Sequence, residues 1–249
     1  MNPIVVIPAR LASTRLPDKP LADIGGQTMI ERVWRQALKA AIGPVLVAAA
    51  EQEIVDVIAH AGGRAALTDP ALPSGTDRVF QALEAIDASG THDVVINLQG
   101  DLPALDPEAI RTVARVLESS GADIATLAAE IDDPADLDNP NVVKPVVAWD
   151  KGGREGRALY FTRSRTPSGE GPLFHHVGIY AFRRAALARF VRLPPSPLER
   201  REKLEQLRAL EAGMTIAIAR VDAVPLSVDT PDDLEKARAL LGRASNPDR

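Results

Sequence analysis

The sequence contains no cysteine and few aromatic residues, and both shortages exclude kinds of protein. Without cysteine there can be no disulfides and no thiolate metal site, which fits a reducing compartment. Aromatic residues make up only 4% of the chain, so the stacking surfaces of nucleic-acid-binding proteins are not expected. The net charge of −5 gives no general attraction for polyanions. Any anionic substrate must therefore be held by a local cluster of cations.

Long apolar runs are also missing. No apolar stretch approaches the length of a membrane span, so we expect no insertion into a membrane. Residues 1–20 do not resemble a signal peptide, because Arg10 follows only a short apolar run. These features predict a cytoplasmic protein. Its 249 residues suffice for one large α/β domain or two small ones, and we find neither a repeat nor a linker.

What the sequence does contain is a regular alternation of short apolar runs with amphipathic segments. Buried strands are predicted at 4–7, 45–48, 64–67, 93–97 and 124–128, and helices between them at 29–41, 51–61, 76–88 and 107–119. We place a capping box at Thr28, which opens a helix whose buried face includes Leu38 and Ala41, and a cap at Thr76. This order predicts an α/β fold with a mostly parallel sheet and helices on both faces.

The pattern changes beyond residue 130. Segments 142–149 and 157–163 flank the turn Lys151-Gly152-Gly153, which predicts an antiparallel insertion in the second half, followed by a strand at 176–182. Ser196 begins a predicted helix that continues to Ala212, a strand follows at 214–221, and Thr230 caps a last helix that ends near Gly242. Residues 243–249 are expected to fray.

The loop after the first strand carries three cations, Arg10, Arg15 and Lys19, among small residues. A polar loop at the carboxyl end of a parallel strand is where open α/β sheets bind ligands, and fixed cations there suit phosphate. The loop is neither a Walker A sequence nor a dinucleotide fingerprint. A solvated basic loop is the alternative, but strand, loop and spacing together favour phosphate.

Two aspartates follow predicted strands. Asp101 lies in the loop after strand 93–97, and Asp229 lies between strand 214–221 and the last helix. Mg²⁺ commonly takes one or two carboxylates together with substrate phosphate oxygens. Each aspartate by itself is more simply a turn or capping residue. Asp229 is the more suggestive as a spare acid, because Thr230 already serves as the cap.

At this point the sequence resembles a known family. Residues 8–21, PARLASTRLPDKPL, are similar to the signature of the 3-deoxy-manno-octulosonate (KDO) cytidylyltransferases, or CMP-KDO synthetases. Further matching segments span nearly the whole chain in the expected order: Ser74–Arg78, Asn97–Asp101, Asn139–Asn141, Ser196–Glu199, Leu204–Arg208 and Val228–Pro231.

The resemblance implies an enzyme that transfers CMP from CTP to KDO, releases pyrophosphate and activates KDO for lipopolysaccharide synthesis. It implies Arg10 and Lys19 on the triphosphate, Mg²⁺ on Asp101 and Asp229, and cytosine beside Pro8, Ala9, Ser74 and Gly75. Arg15, Arg78 and Gln99 belong to the same substrate site. The sugar acid is expected at Arg163, His176, Tyr180, Glu205 and Gln206, with Arg163 supplying charge and the last pair placed on a helix.

The resemblance also implies one nucleotidyltransferase domain over residues 1–249. Residues 1–130 would bind the nucleotide, 131–227 would bind the sugar and form a homodimer, and 228–249 would return to the active site. Some positions depart from the family: Leu102 replaces an expected glutamate, and Ala49-Ala50-Glu51 follows strand 45–48 where Thr-Asp is expected. A transferase for sialic acid or amino-KDO and a non-catalytic nucleotide-sugar binding protein remain alternatives.

Overall fold

The computed structural model describes residues 1–13 and 15–242, so the predicted fraying of 243–249 lies outside the described residues. The strands are, in chain order, β1 (Pro3–Ala9), β2 (Asp23–Ile24), β3 (Gln27–Thr28), β4 (Val45–Ala49), β5 (Arg64–Leu67), β6 (Val94–Leu98), β7 (Ile124–Glu130), β8 (Lys144–Trp149), β9 (Glu155–Thr162), β10 (Phe174–Arg183) and β11 (Ile216–Val221). The α-helices are α1 (Met29–Ala40), α2 (Gln52–His60), α3 (Gly75–Ile86), α4 (Pro107–Ser120), α5 (Pro134–Leu137), α6 (Arg184–Phe190), α7 (Pro197–Glu202), α8 (Leu207–Glu211) and α9 (Pro231–Gly242). None of these helices is both long and apolar enough to cross a membrane, within the part of the chain that the structure describes.

The chain divides into two compact units. The first-half unit comprises Asn2–His92, Ile96–Ile110 and the described residues from Pro225 onward. Its strands lie in the order β5-β4-β1-β6, and β4 runs parallel to both β1 and β5. The apolar run of β1 is almost completely shielded from solvent, as expected of a central parallel strand covered on both faces.

The second-half unit comprises Met1, Asp93–Val95 and Arg111–Val224. Its strands lie in the order β10-β7-β11-β9-β8. β11 runs parallel to β7, whereas β10 with β7, β9 with β11 and β8 with β9 are antiparallel. The predicted α/β class, with a mostly parallel sheet, flanking helices and antiparallel strands in the second half, is confirmed.

Two predicted helix details are wrong. Leu38 is 45% exposed although it lies inside α1. Ala41 is exposed because α1 ends at Ala40 and Ala41 takes a left-handed conformation with φ of 52°. The cap of α3 is Ser74 rather than Thr76: the Ser74 side chain accepts a hydrogen bond from the Asp77 backbone N–H. Helix α3 therefore begins inside the Ser-Gly-Thr-Asp segment, one residue before Thr76.

The helix predicted to run from Ser196 to Ala212 is broken. Helix α7 ends at Glu202, Lys203 is left-handed with φ of 57°, and α8 begins only at Leu207. The Arg163 guanidinium binds the backbone carbonyls of Glu202, at 2.9 Å, and Lys203, at 3.5 Å. In a continuous helix these carbonyls would accept backbone N–H groups one turn later. Glu205 and Gln206 accordingly lie in the break and not inside a helix.

Candidate active site

A cavity of about 390 Å³ opens in the first-half unit, where β1 and β6 reach their carboxyl ends. Loops after these strands, the start of α3 and the segment before α9 form its walls. It brings together eleven of the residues predicted to form the nucleotide site: Pro8, Ala9, Arg10, Arg15, Lys19, Ser74, Gly75, Arg78, Gln99, Asp101 and Asp229.

Small residues allow these walls to approach each other closely. A Cβ atom at Gly100 would lie 3.0 Å from the Pro8 carbonyl oxygen and 3.4 Å from the Ile30 side chain. A Cβ atom at Gly75 would lie 3.3 Å from the Pro8 ring. Glycine at these positions therefore lets the end of β1, the start of α3 and the loop after β6 line the same cavity at close approach.

The centre of the cavity is a cluster of charges. The Lys19 ammonium lies 2.8 Å from Asp101 Oδ2 and 3.0 Å from Asp229 Oδ1, and Arg15 Nη2 lies 2.9 Å from the same Asp229 oxygen. Burial alone would lower the pKa of Lys19, but the two carboxylates outweigh burial and raise this pKa above 10.5. Lys19 is therefore a permanent cation between the two aspartates.

Contacts of the two neighbouring residues, Val228 and Thr230, hold Asp229 in place. On one side the Val228 backbone N–H donates to the Asp101 carbonyl oxygen over 3.0 Å. The buried Val228 side chain packs in an apolar cluster with Leu16 and residues of α9. On the other side Thr230 caps α9, with its hydroxyl bonded to Asp233 and to the Asp233 N–H. The cap is thus Thr230, as predicted, and Asp229 is left for the cavity.

The two aspartates fit a magnesium site that needs further ligands from a substrate. Their carboxylate oxygens are the hard donors that Mg²⁺ prefers, and both approach the same point, now held by Lys19. Across residues 1–13 and 15–242 no group of three or more His, Cys, Asp or Glu side chains could hold a metal ion. Phosphate oxygens would have to complete the coordination.

The other two arginines of the cavity differ in their surroundings. Arg10 is exposed at the mouth of the cavity. Arg78 is only 2% exposed and donates to the Thr68 hydroxyl, at 2.5 Å, and to the Asp69 carbonyl, at 3.1 Å. Burial lowers the pKa of Arg78 from its usual value of 12.5. Arg78 thus contributes charge from within the wall of the cavity.

Two residues not predicted for the site support it. The Asn97 side chain, which is buried, joins Gln99 at 3.1 Å to Thr76 at 3.3 Å and so links the β6 loop to α3. Glu51 Oε2 accepts from the Leu11 backbone N–H over 2.9 Å and steadies the basic loop. The signals in the sequence were a polar residue inside the apolar β6 run and an acid two residues after β4. Leu102, where the family resemblance predicts an acid, is buried.

The five residues predicted for the sugar lie in the second-half unit. The rings of His176 and Tyr180 are 5.4 Å apart, and Gln206 is 8% exposed. Burial lowers the pKa of His176 to about 3, so its ring is neutral. Burial, and then the charge of Glu205, raise the pKa of Tyr180, so its hydroxyl stays protonated. The structure thus groups an uncharged ring, a hydroxyl and a carboxylate.

Arg163, which the resemblance assigns to the sugar site as a source of charge, binds three backbone carbonyls. Its guanidinium donates to the carbonyls of Glu202, Lys203 and Pro140, the last at 2.9 Å. The Glu202 carboxylate accepts from the Arg163 backbone N–H and from the Thr162 hydroxyl. Arg163 therefore fixes the break between α7 and α8, in which Glu205 and Gln206 lie.

Comparison with known proteins identifies the family. The family model described as cytidylyltransferase matches residues 4–216. A 3-deoxy-manno-octulosonate cytidylyltransferase from Parvibaculum lavamentivorans is 64% identical over 98% of this chain and 94% of its own length. The chain belongs to the 3-deoxy-manno-octulosonate cytidylyltransferases. The cytidylyltransferase of this name from Rhodospirillum centenum is 65% identical, over 96% of this chain and 93% of its own.

A solved structure extends the likeness to the fold. It is described as CMP:2-keto-3-deoxy-manno-octonic acid synthetase complexed with CTP. Its TM-score to this chain is 0.90 at 38% identity, and the match covers 98% of this chain and 100% of that one. The predicted family and the predicted enzyme class, a nucleotidyltransferase, are confirmed.

Proposed function

We propose that this cytidylyltransferase transfers CMP from CTP to KDO, giving CMP-KDO and pyrophosphate, and so activates KDO for lipopolysaccharide synthesis. The observation that carries the proposal is the cavity of the first-half unit, which retains all eleven predicted residues in a chain 64% identical to a relative of that name. The anomeric hydroxyl of the sugar attacks the α-phosphorus of CTP. The bond from that phosphorus to the oxygen shared with the β-phosphorus breaks, and pyrophosphate leaves.

The residues of the cavity act by positioning and by neutralising charge. Arg10 and Lys19 bind the triphosphate, and Lys19 exchanges a carboxylate partner for a phosphate oxygen. Cytosine lies against Pro8, Ala9, Ser74 and Gly75, where backbone groups can pair with its amino donor and ring acceptors. Gln99 is held for the same purpose by Asn97.

Mg²⁺ is the cofactor of this proposal, and Asp101 and Asp229 are the residues that would hold it. When bound, such an ion supplies Lewis acidity to phosphate oxygens and favours ionisation of a bound hydroxyl. The support for this assignment is the convergence of two carboxylates on one cation, Lys19, at 2.8 and 3.0 Å.

A pyrophosphate-release assay tests the function directly. CTP and the other nucleoside triphosphates are each combined with KDO, an amino-KDO and a sialic acid, with Mg²⁺ present. We expect release only with CTP, and fastest with KDO. Faster release with another sugar acid would reassign the substrate. No release with any pair, while CTP still binds, would favour a non-catalytic nucleotide-sugar binding protein.

We further propose that the enzyme is a homodimer formed through the β8–β9 hairpin. β8 is an edge strand of the second-half unit, and Leu159 of β9 is 49% exposed. A large apolar side chain on an exposed hairpin favours contact with a second copy. Leu159→Glu should shift the mass measured by analytical ultracentrifugation to that of a monomer.

The cytoplasmic location stays a prediction, which cell fractionation would test.

A further inference from the structure

An irregularity in β10 explains how His176 and Tyr180 come close. In a regular strand, residues four apart lie about 13 Å from each other. Here His176 pairs with Ala128 of β7 and Val177 with Leu127, but the next pair is Tyr180 with Thr126. Gly178 and Ile179 are extra residues in a bulge. Because two residues are inserted, His176 and Tyr180 keep the same face, and their rings approach to 5.4 Å.

The Thr126 hydroxyl lies inside this bulge. Thr126 is 0% exposed, and its Oγ1 is 2.7 Å from the Ile179 carbonyl oxygen, 3.2 Å from the Val177 carbonyl oxygen and 2.9 Å from His176 Nε2. One hydroxyl therefore contacts both carbonyls turned inward by the bulge and also the ring of His176.

These contacts decide which nitrogen of His176 carries its proton. A carbonyl oxygen can only accept, and the hydroxyl has one hydrogen to donate. If the Thr126 hydroxyl donated its hydrogen to His176 Nε2, the two carbonyl oxygens would lie against the lone pairs of Oγ1 with no hydrogen between them. The hydroxyl therefore donates to a carbonyl, with Ile179 the shorter contact, and Nε2–H donates to Oγ1. The neutral ring then has its lone pair on Nδ1.

We propose that Thr126 is a positioning residue for the sugar acid, whose hydroxyl fixes the bulge and the His176 tautomer so that Nδ1 accepts a hydrogen bond from a sugar hydroxyl. This rests on the proposed function, in which the sugar acid lies at His176. A histidine acceptor, the protonated Tyr180 hydroxyl and the Glu205 carboxylate together suit a ligand with many hydroxyls.

The first test is spectroscopic and uses the full chain without substrate. Long-range proton–nitrogen correlation spectra of protein labelled at the histidine nitrogens distinguish the two tautomers for each of the four histidines. We expect Nε2–H at His176 in the unaltered protein and in Thr126→Ser, which keeps the hydroxyl. Thr126→Val has nearly the same shape without the hydroxyl and should lose the Nε2–H preference. Nδ1–H in the unaltered protein would overturn the proposal even if no variant folds.

The second test is kinetic. Thr126→Val should raise the KM for KDO roughly three- to tenfold, leave the KM for CTP unchanged, and be rescued by Thr126→Ser. Thr112→Val, which removes another buried threonine hydroxyl from the same unit, is the matched control and should change neither KM. Equal changes in both KM values, or none, would overturn the role of Thr126. Faster turnover with a different sugar acid than with KDO, accompanied by Nε2–H, would instead refute KDO as the substrate.

Discussion

Replacing Lys19 by glutamine should change the affinities for a divalent cation and for CTP in opposite directions. In the free protein the Lys19 ammonium occupies the space between Asp101 and Asp229, where we place the metal. Without Lys19, the two carboxylates repel each other and attract any external cation. The same change removes a donor that we assign to the triphosphate. We therefore expect tighter binding of Mn²⁺, used as a spectroscopic substitute for Mg²⁺, and weaker binding of CTP.

The size of each effect follows from the surroundings of Lys19. A pair of unit charges near 4 Å interacts by about 4 kcal/mol at an effective dielectric constant of about 20. The Asp101 and Asp229 side chains are 26% and 36% exposed, so solvent screening reduces the net effect of both pairs to about 1–2 kcal/mol. Mn²⁺ should then bind roughly five- to thirtyfold more tightly. Losing charge-assisted hydrogen bonds worth about 1.5–3 kcal/mol should weaken CTP roughly ten- to hundredfold.

The assay measures Mn²⁺ binding by electron paramagnetic resonance without nucleotide, and CTP binding by calorimetry, at one ionic strength. Lys151→Gln removes an exposed lysine from a turn of the second-half unit and is the matched control. Arg15→Gln should show a smaller gain in Mn²⁺ affinity, because the Arg15 side chain is 62% exposed and contacts only one of the two aspartates, Asp229. Unchanged or weaker Mn²⁺ binding in Lys19→Gln would refute the shared site.

Three further predictions concern the aspartates, the sugar residues and pH. Asp101→Asn and Asp229→Asn should each abolish pyrophosphate release with little change in melting temperature, and near-normal turnover would remove that residue from the metal site. His176→Ala and Gln206→Ala should raise the KM for KDO several-fold but not that for CTP, whereas equal losses would indicate a structural role. Because burial lowers the pKa of His176 from 6.5 to about 3, its contribution to stability is complete above pH 6.5 and is lost as the pH falls toward 3. When the pH falls from about 7.5 to 5, the unfolding free energy measured by urea titration should decrease by roughly 2 kcal/mol more in the unaltered protein than in His176→Asn. The same decrease in both proteins would contradict the burial of a neutral ring.

Much of the fold and the nucleotide site could be predicted because local signals coincide there. The apolar run of β1 and the basic loop after it are contiguous, and the Thr230 cap leaves Asp229 spare. Parallel strands then bring their carboxyl ends to one edge, so residues distant in sequence meet without any special contact. The Ser74 cap could also have been predicted from the sequence, because Ser74 is followed three residues later by the acid Asp77, whereas Thr76 is followed by Val79.

The second-half unit was less predictable because its decisive contacts are not local. The break after α7 depends on Arg163, which lies about forty residues earlier in the chain and binds two carbonyls at the end of that helix. The bulge in β10 depends on Thr126 in β7. Helical spacing and strand alternation report only which face of an element is buried. Neither reveals a side chain from another element that replaces a backbone hydrogen bond.

The charges of the nucleotide cavity reconcile an acidic protein with a polyanionic substrate. The chain carries a net charge of −5, yet four cations, Arg10, Arg15, Lys19 and Arg78, line a cavity that holds two carboxylates. This local excess of positive charge attracts a triphosphate at close range, while the acidic remainder disfavours larger polyanions. Lys19 and Arg15 also keep the two aspartates paired in the absence of ligand, which avoids two neighbouring bare carboxylates. A nucleotide that brings its own divalent cation can satisfy both sets of charges together, whereas the cation alone must compete with Lys19. Binding of metal and of CTP should therefore be cooperative, and the cooperativity should decrease in Lys19→Gln.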